Sequence, residues 1–340
     1  MTVDEFISQW QDGSDTVEVH TSGSTGTPKV MRVDKSRMRS SARATCDFLD
    51  LHPGDTALLC MSVDYIAGKM MVVRALECGL RLVTVEPSSH PFAAPVWLDD
   101  MVQRLDFAAM VPMQVYASLQ VPRERELLEQ VRNIIIGGGP LDAALEQRLR
   151  GMDNAVWHSY GMTETLSHIA LRRVSGPEAS SWFTPLPGVT LTTGQDGCLV
   201  IDAPHLHDGR LVTRDIVEME PGSQRFKVLG RIDNVIITGG IKVHIEQVEQ
   251  SLATHIAFPF LITKCHDPQF GEAVVMLVEG GPDAVETARM ACSQHLDRFS
   301  RPKHVFAVKH LPMTPNGKPA RSIAQQIAAT LVLKQPQQLF

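Results

Sequence analysis

Five short segments of this chain carry residue types that could act on a phosphate-bearing molecule. The first is Thr21-Ser22-Gly23-Ser24-Thr25-Gly26-Thr27-Pro28-Lys29. Small residues let the backbone close around phosphate oxygens, and successive N–H groups can form an anion nest. The hydroxyls and Lys29 add donors and a positive charge. A flexible Ser/Thr/Gly linker shares this composition, but the strand candidate before it and Pro28-Lys29 are not linker texture. Gly-Lys-Ser/Thr is missing, so the loop is not a Walker A motif. The second segment is Tyr160-Gly161-Met162-Thr163-Glu164, where a ring can stack on a purine, a hydroxyl can hold a phosphate and a carboxylate can hold magnesium. Alone it reads equally as a strand-to-helix turn. The third is Asp215, whose carboxylate can accept from two vicinal ribose hydroxyls, although a lone Asp after a strand is commonly a turn residue. The fourth, Gly230 to Gly240, places Asp233 at a change of composition, a natural hinge position. The fifth, Leu311 to Lys318, presents one lysine on a Pro/Gly-rich turn, able to reach a developing charge.

These segments need a scaffold. Val17 to His20, Thr56 to Met61, Leu80 to Val85 and Asn133 to Ile136 read as strands, the last running into Gly137-Gly138-Gly139-Pro140. Asp142 can cap a helix through Arg150, with Gly151 as its stop. Strands alternating with helices predict an α/β domain with a largely parallel sheet. From Pro185 to Val228 the frequent Gly and Pro and the short strands predict a β-rich subdomain. A compact α+β unit follows, with a helix over Glu246 to His255, a strand over Ala273 to Glu279, and a helix capped by Asp283 and Glu286 that reaches Phe299. The domain expectation is residues 1–231, a hinge near Asp233, and a small mobile unit over 234–340.

Composition narrows the class. A formal net charge of -6 does not read as a nucleic-acid binder. Six cysteines without any Cys-x-x-Cys pair read as reduced thiols, which favours a cytoplasmic protein. Met1 to Trp10 carries Asp4 and Glu5 and lacks the apolar run of a signal peptide. The apolar stretch around Met70 to Val85 is broken by Arg74, Glu77 and Arg81, so no membrane span is expected. A homo-oligomer stays open.

Taken together and in this order, the five segments resemble the acyl-adenylate-forming, or AMP-binding, superfamily: acyl- and aryl-CoA ligases, firefly-type luciferases and non-ribosomal peptide adenylation domains. The resemblance spans Val17 to Arg321. It implies a large N-terminal α/β nucleotide-binding domain and a small C-terminal domain that rotates between two half-reactions. ATP, Mg2+ and CoA would be the cofactor and co-substrates. It further implies that Thr21, Ser22, Gly23, Ser24, Thr25, Gly26 and Lys29 cradle phosphate. Gly138, Gly139, Pro140, Tyr160 and Gly161 would flank the adenine, Thr163 would contact phosphate, and Glu164 would hold magnesium. Asp215 and Arg231 would bind the ribose, Asp233 would be the hinge, and Lys318 would stabilise the adenylation transition state. Gly239 and Gly240 would line the thiol's path.

Within the superfamily, Ser159 to His168 and Tyr65 to Arg74 are most similar to the 2-succinylbenzoate–CoA ligases of menaquinone biosynthesis. That substrate has two carboxylates: one is activated and the other must meet a cation. Arg74 falls where this subfamily places a substrate-binding arginine, and Lys69 is a second candidate, although Arg74 could equally be a helix-surface charge. Two departures stand out. The phosphate loop begins at Thr21, so the N-terminal domain is shortened, and Arg214 replaces a usual Gly beside the ribose aspartate. The alternatives are another aryl- or acyl-CoA ligase, a stand-alone adenylation enzyme, and a catalytically silent AMP-binding module.

Overall fold

A computed structural model describes residues 1–20, 30–94, 104–314 and 319–334. The phosphate-loop residues Thr21, Ser22, Gly23, Ser24, Thr25, Gly26 and Lys29, and the turn lysine Lys318, lie outside the described residues.

The chain opens with helix α1 (Val3–Gln11), whose Thr2 and Glu5 form a reciprocal capping box. Strands β1 (Thr16–His20) and β2 (Val30–Asp34) pair antiparallel, with His20 opposite Val30. That register sets His20 and Val30, the residues flanking the Thr21–Lys29 segment in the sequence, side by side. Helix α2 (Lys35–Phe48) follows.

The largest sheet has seven strands. Strands β3 (Thr56–Leu59), β4 (Arg81–Thr84), β5 (Phe107–Met110), β6 (Asn133–Ile136) and β7 (Ala155–Gly161) are parallel neighbours in the order β4-β3-β5-β6-β7. Strands β8 (His168–Arg173) and β9 (Thr184–Pro185) add on antiparallel. β3, β5 and β6 are buried along their whole length, as strands covered on both faces must be. Side-chain alternation divides them between two cores: Leu59, Phe107 and Ile135 enter one, and Leu58, Ala108 and Ile134 enter the other. Helix α3 (Ile66–Cys78) is buried from Gly68 to Ala75, including Lys69 and Arg74. It ends on Gly79 in the left-handed conformation, at φ 65°. Helices α4 (Pro112–Ser118), α5 (Pro122–Gln130) and α6 (Ala143–Arg150) complete the connections. Asp142 caps α6 by accepting from the Leu145 N–H, and Gly151 ends it, as the sequence predicts.

Strands β10 (Thr190–Thr193), β11 (Cys198–Asp202), β12 (Arg210–Met219) and β13 (Phe226–Arg231) form an antiparallel sheet. Phe183 and Phe226 exchange backbone hydrogen bonds of 2.7 and 3.1 Å, which stitches this sheet to the main one. The third sheet joins β14 (Val235–Thr238), β15 (Ile241–His244), β16 (Phe260–Asp267), β17 (Gly271–Glu279) and β18 (His304–Val308). Helices α7 (Ile245–Leu252) and α8 (Pro282–His295) cover one face, and α9 (Arg321–Lys334) covers the other.

Three local expectations fail. Asp283 and Glu286 do not cap α8: its N-cap is Gly281 without any side-chain cap, and Pro282 at the first helical position supplies a pre-set φ instead. The helix stops at His295 rather than Phe299, because the Asp297 carboxylate takes the N–H groups of Phe299 and Ser300 into a turn. The Tyr160 segment also leads to a strand rather than to a helix: one 3-10 turn, Thr163–Thr165, separates β7 from β8.

Candidate active site

In a parallel sheet the crevice for ligands lies beyond the carboxyl ends of the strands. Gly137 to Pro140 leave the end of β6, and Tyr160 and Gly161 finish β7 beside them. The two loops are crowded together. A Cβ on Gly137 would sit 2.6 Å from Ser159 Oγ, and one on Gly161 would sit 2.4 Å from the Ser167 carbonyl oxygen. Gly138 adopts φ 81°, which only glycine takes without strain.

The sheet stitched on through Phe183 delivers the next residues. Strand register puts Asp215 on β12 opposite Arg231 on β13. The Tyr160 hydroxyl donates to Asp215 Oδ2 at 2.6 Å, and Arg231 Nη1 donates to Asp215 Oδ1 at 3.2 Å. Burial, then the Asp215 carboxylate, pushes the Tyr160 hydroxyl pKa far up, so it stays a donor. Its ring packs against Phe183 and Phe226, with centroids 6.0 and 5.1 Å away. Arg231 Nη2 reaches Asp233 Oδ2 at 3.2 Å, and Arg214 forks onto the same carboxylate, its Nε at 2.6 Å. Arg214 first, and Arg231 after it, hold the Asp233 carboxyl below its usual range. Tyr160, Asp215, Arg231 and Asp233 are therefore one continuous network. Arg214, the departure from the family pattern, supplies a second cation for Asp233.

The Thr163–Thr165 turn holds the phosphate and magnesium candidates. The buried Thr165 hydroxyl accepts from the Met162 N–H at 3.0 Å and lies 2.8 Å from the Ser167 carbonyl. Leu166 is forced to φ 64°, a costly conformation for a branched residue. Thr163 and Glu164 are half-buried on this turn. Among the described residues no group of three or more His, Cys, Asp or Glu could hold a metal unaided. A single carboxylate such as Glu164 suits Mg2+, which keeps waters and takes its other ligands from substrate phosphates.

Arg74 lies behind that turn. It is 3% exposed, its Nη2 donates to Ser167 Oγ at 2.6 Å, and its buried Nε has no hydrogen-bond partner. Among the described residues it has no carboxylate partner. Burial lowers its pKa to about 10. His168, 3.3 Å from Ser167 Oγ and 3.1 Å from Thr45 Oγ1, is kept neutral by burial and by Arg74. Lys69 does not lie beside Arg74. Five helical positions turn it away from Arg74, and its Nζ sits 3.3 Å from Met1 Sδ and 4.7 Å from the Phe6 ring centroid, under α1. Gly239 and Gly240 form the β14–β15 hairpin turn at φ 57° and 81°, on the C-terminal sheet.

Sequence reading missed Phe183, Phe226 and Ser167. Ser167 lies inside the Ser159 to His168 segment but was given no role of its own. Phe183 and Phe226 are brought to Tyr160 only by the pairing of two sheets, which no local spacing signals.

The profile of the AMP-binding enzyme family matches residues 9–205. The chain belongs to this family. A probable 2-succinylbenzoate–CoA ligase of Mycobacterium tuberculosis is 29% identical over 324 residues, covering 89% of this chain and 82% of that protein. The Escherichia coli 2-succinylbenzoate–CoA ligase is 26% identical and is covered over 62% of its length. Among solved structures, an acyl-CoA synthetase (AMP-forming)/AMP-acid ligase II-like protein of Dyadobacter fermentans is 33% identical, with a TM-score of 0.64 over 96% of this chain and 93% of that one. The o-succinylbenzoate CoA synthetase of Bacillus subtilis, in complex with its acyl-adenylate intermediate, shares the AMP-binding fold at a TM-score of 0.76 and 21% identity, over 90% of this chain and 68% of that one. No helix among the described residues is long and apolar enough to cross a membrane.

Proposed function

We propose that this AMP-binding enzyme is an ATP-dependent acid–CoA ligase whose acid is 2-succinylbenzoate. The observation that carries the substrate is Arg74: a buried guanidinium with an unpartnered Nε and no carboxylate beside it among the described residues. A cation kept there at such cost suits a ligand that brings its own anion. 2-Succinylbenzoate offers one carboxylate for activation and a second for a forked pair with Arg74. Similarity to the M. tuberculosis and E. coli ligases supports the same assignment.

The mechanism follows from charge and position. The acid's carboxylate attacks the α-phosphorus of ATP, pyrophosphate leaves, and the acyl-AMP then loses AMP to the CoA thiolate. Asp215 accepts from the ribose hydroxyls, oriented by Tyr160 and Arg231. Thr163 contacts the α-phosphate, and the Thr21–Lys29 segment cradles the outer phosphates. Mg2+, held by Glu164, would offset phosphate charge. Lys318 offsets the repulsion between the two reacting anions. Residues 234–340 then turn about Asp233, and Gly239 and Gly240 line the thiol's approach, where a side chain would obstruct it. Six free cysteines are in keeping with a cytoplasmic setting.

The test is CoA-dependent AMP release with 2-succinylbenzoate, benzoate and a fatty acid. Strong preference for 2-succinylbenzoate is expected. Equal rates with all three would defeat the substrate, and AMP release with none would defeat the ligase reading.

A further inference from the structure

Behind the Gly137–Pro140 loop lies a chain of side chains, His158 and Arg172 buried and Glu146 half-buried, that none of the roles above uses. His158 on β7 points its Nε2 at the Gly139 carbonyl, 3.1 Å away. Its Nδ1 lies 3.2 Å from Arg172 Nε on β8, where strand register makes His158 and Arg172 direct partners. Arg172 forks onto Glu146 of α6, Nη1 at 2.9 Å and Nη2 at 2.6 Å, and Nη1 also donates to the Ser180 carbonyl at 3.1 Å. Arginine can only donate, so Nδ1 must accept and the proton sits on Nε2. His158 therefore donates to Gly139. Burial, and then Arg172, keeps the imidazole neutral, with a pKa of about 4. The Phe183 ring closes over both, 5.2 Å from the His158 ring and 5.5 Å from the Arg172 guanidinium.

The arrangement fixes the orientation of the loop. With the Gly139 carbonyl turned inward to His158, and Pro140 lacking an N–H, the exposed Gly138 is the loop's outward polar edge. Among the described residues neither the N–H nor the C=O of Gly138 has a protein partner. A free carbonyl accepts from the amine of an adenine and repels the O6 of a guanine. We infer that His158, held by Arg172 and Glu146, is a positioning residue that sets the Gly137–Pro140 loop against the nucleotide base and so contributes to the choice of adenine. The inference rests on the proposed role of this loop in flanking the base.

The experiment compares wild type with His158→Ala, His158→Gln and Glu146→Gln in steady-state AMP release, titrating ATP, GTP and the acid separately. Loss of one buried hydrogen bond predicts a rise of about 5- to 10-fold in KM for ATP in His158→Ala. KM for the acid should stay put, kcat should hold within about two-fold, and the preference for ATP over GTP should narrow. Gln reaches with its amide N–H where Nε2 stood, so His158→Gln should restore most of the ATP affinity. Glu146→Gln, which leaves His158 in place, should shift KM for ATP in the same direction by less, and it keeps the test usable if His158→Ala does not fold. Unchanged KM and unchanged base preference in variants that merely melt earlier would overturn the inference. Equal KM values for ATP and GTP in the wild type would instead remove the reading of the loop on which it rests.

Discussion

Replacing Arg74 with methionine separates a functional arginine from a structural one, because the two readings predict opposite changes in stability. Burial takes the guanidinium pKa from 12.5 down to about 10. At 1.36 kcal/mol per pH unit, the charged form carries about 3 kcal/mol of desolvation cost. Among the described residues the only oxygen it bonds is Ser167 Oγ, a contact contributing about 1–2 kcal/mol. Methionine keeps most of the apolar stem, and Met71 already packs its sulfur 3.7 Å from Nη1, so the site tolerates a thioether. Arg74→Met should therefore raise stability by about 1–2 kcal/mol, or a few degrees in Tm. Catalysis should move the other way. Losing a forked, charge-assisted pair with the free carboxylate costs about 1.5–3 kcal/mol, a fall of roughly 10- to 150-fold in kcat/KM for 2-succinylbenzoate. Benzoate has no second carboxylate, so its poor kcat/KM should stay unchanged. Differential scanning calorimetry and AMP release read both effects on one preparation. A variant that melts earlier and keeps its kcat/KM would show that Arg74 is a packing residue and refute the argument.

Two further outcomes are expected. The folded pKa of His158, about 4, lies below the ordinary 6.5, so between those values the unfolded chain takes a proton that the folded one refuses. Stability from this group is complete above pH 6.5 and falls by about 3 kcal/mol as pH drops to 4. Glu146, depressed by its bond to Arg172, loses its contribution in the same direction at the acid end. Urea unfolding at pH 7, 5.5 and 4.5 should show a shallower decline in His158→Gln than in wild type, and parallel curves would contradict the buried neutral assignment. Gly161→Ala places a Cβ 2.4 Å from the Ser167 carbonyl and 2.5 Å from His168 Cα, both backbone atoms that cannot swing aside. It should destabilise by about 1–3 kcal/mol and cut AMP release at least ten-fold, since the turn bearing Thr163 and Glu164 must shift; wild-type activity in this variant would show that the turn is not coupled to the chemistry.

The sequence was legible where function or burial leaves a local mark. Asn133 to Ile136 announces a buried strand because three consecutive isoleucines run into three glycines. Asp142 announces a helix start because its carboxylate must take an orphan N–H. Asp215 and Arg231 were named from separate motifs, and β-sheet register made them neighbours. What stayed hidden depends on partners remote in the chain. Arg172 is one of two adjacent arginines with no local motif around them, yet it is buried and bonded to both His158 and Glu146. Lys69 looked like a second substrate cation because spacing alone cannot say which side of α3 meets α1. The capping box expected at Asp283 lost to a proline one residue earlier, whose fixed φ starts the helix without help from a side chain.

The arginines of the site sort by whether the protein answers their charge. Arg172 has Glu146, Arg231 has Asp215 and Asp233, and Arg214 has Asp233. These three hold backbone and carboxylates in place, and Arg231 steadies the Asp215 carboxylate that the Tyr160 hydroxyl meets at 2.6 Å. Arg74 alone among these four is buried with no carboxylate in reach, and a nearby acid could have been selected at little structural cost, since Ser167 already fills that position. A carboxylate in place of Ser167 would lift the desolvation penalty and fill the site with a permanent counter-ion. Without one, the Arg74 guanidinium keeps its desolvation cost. On the proposed function, the free carboxylate of the acid would supply the missing counter-ion.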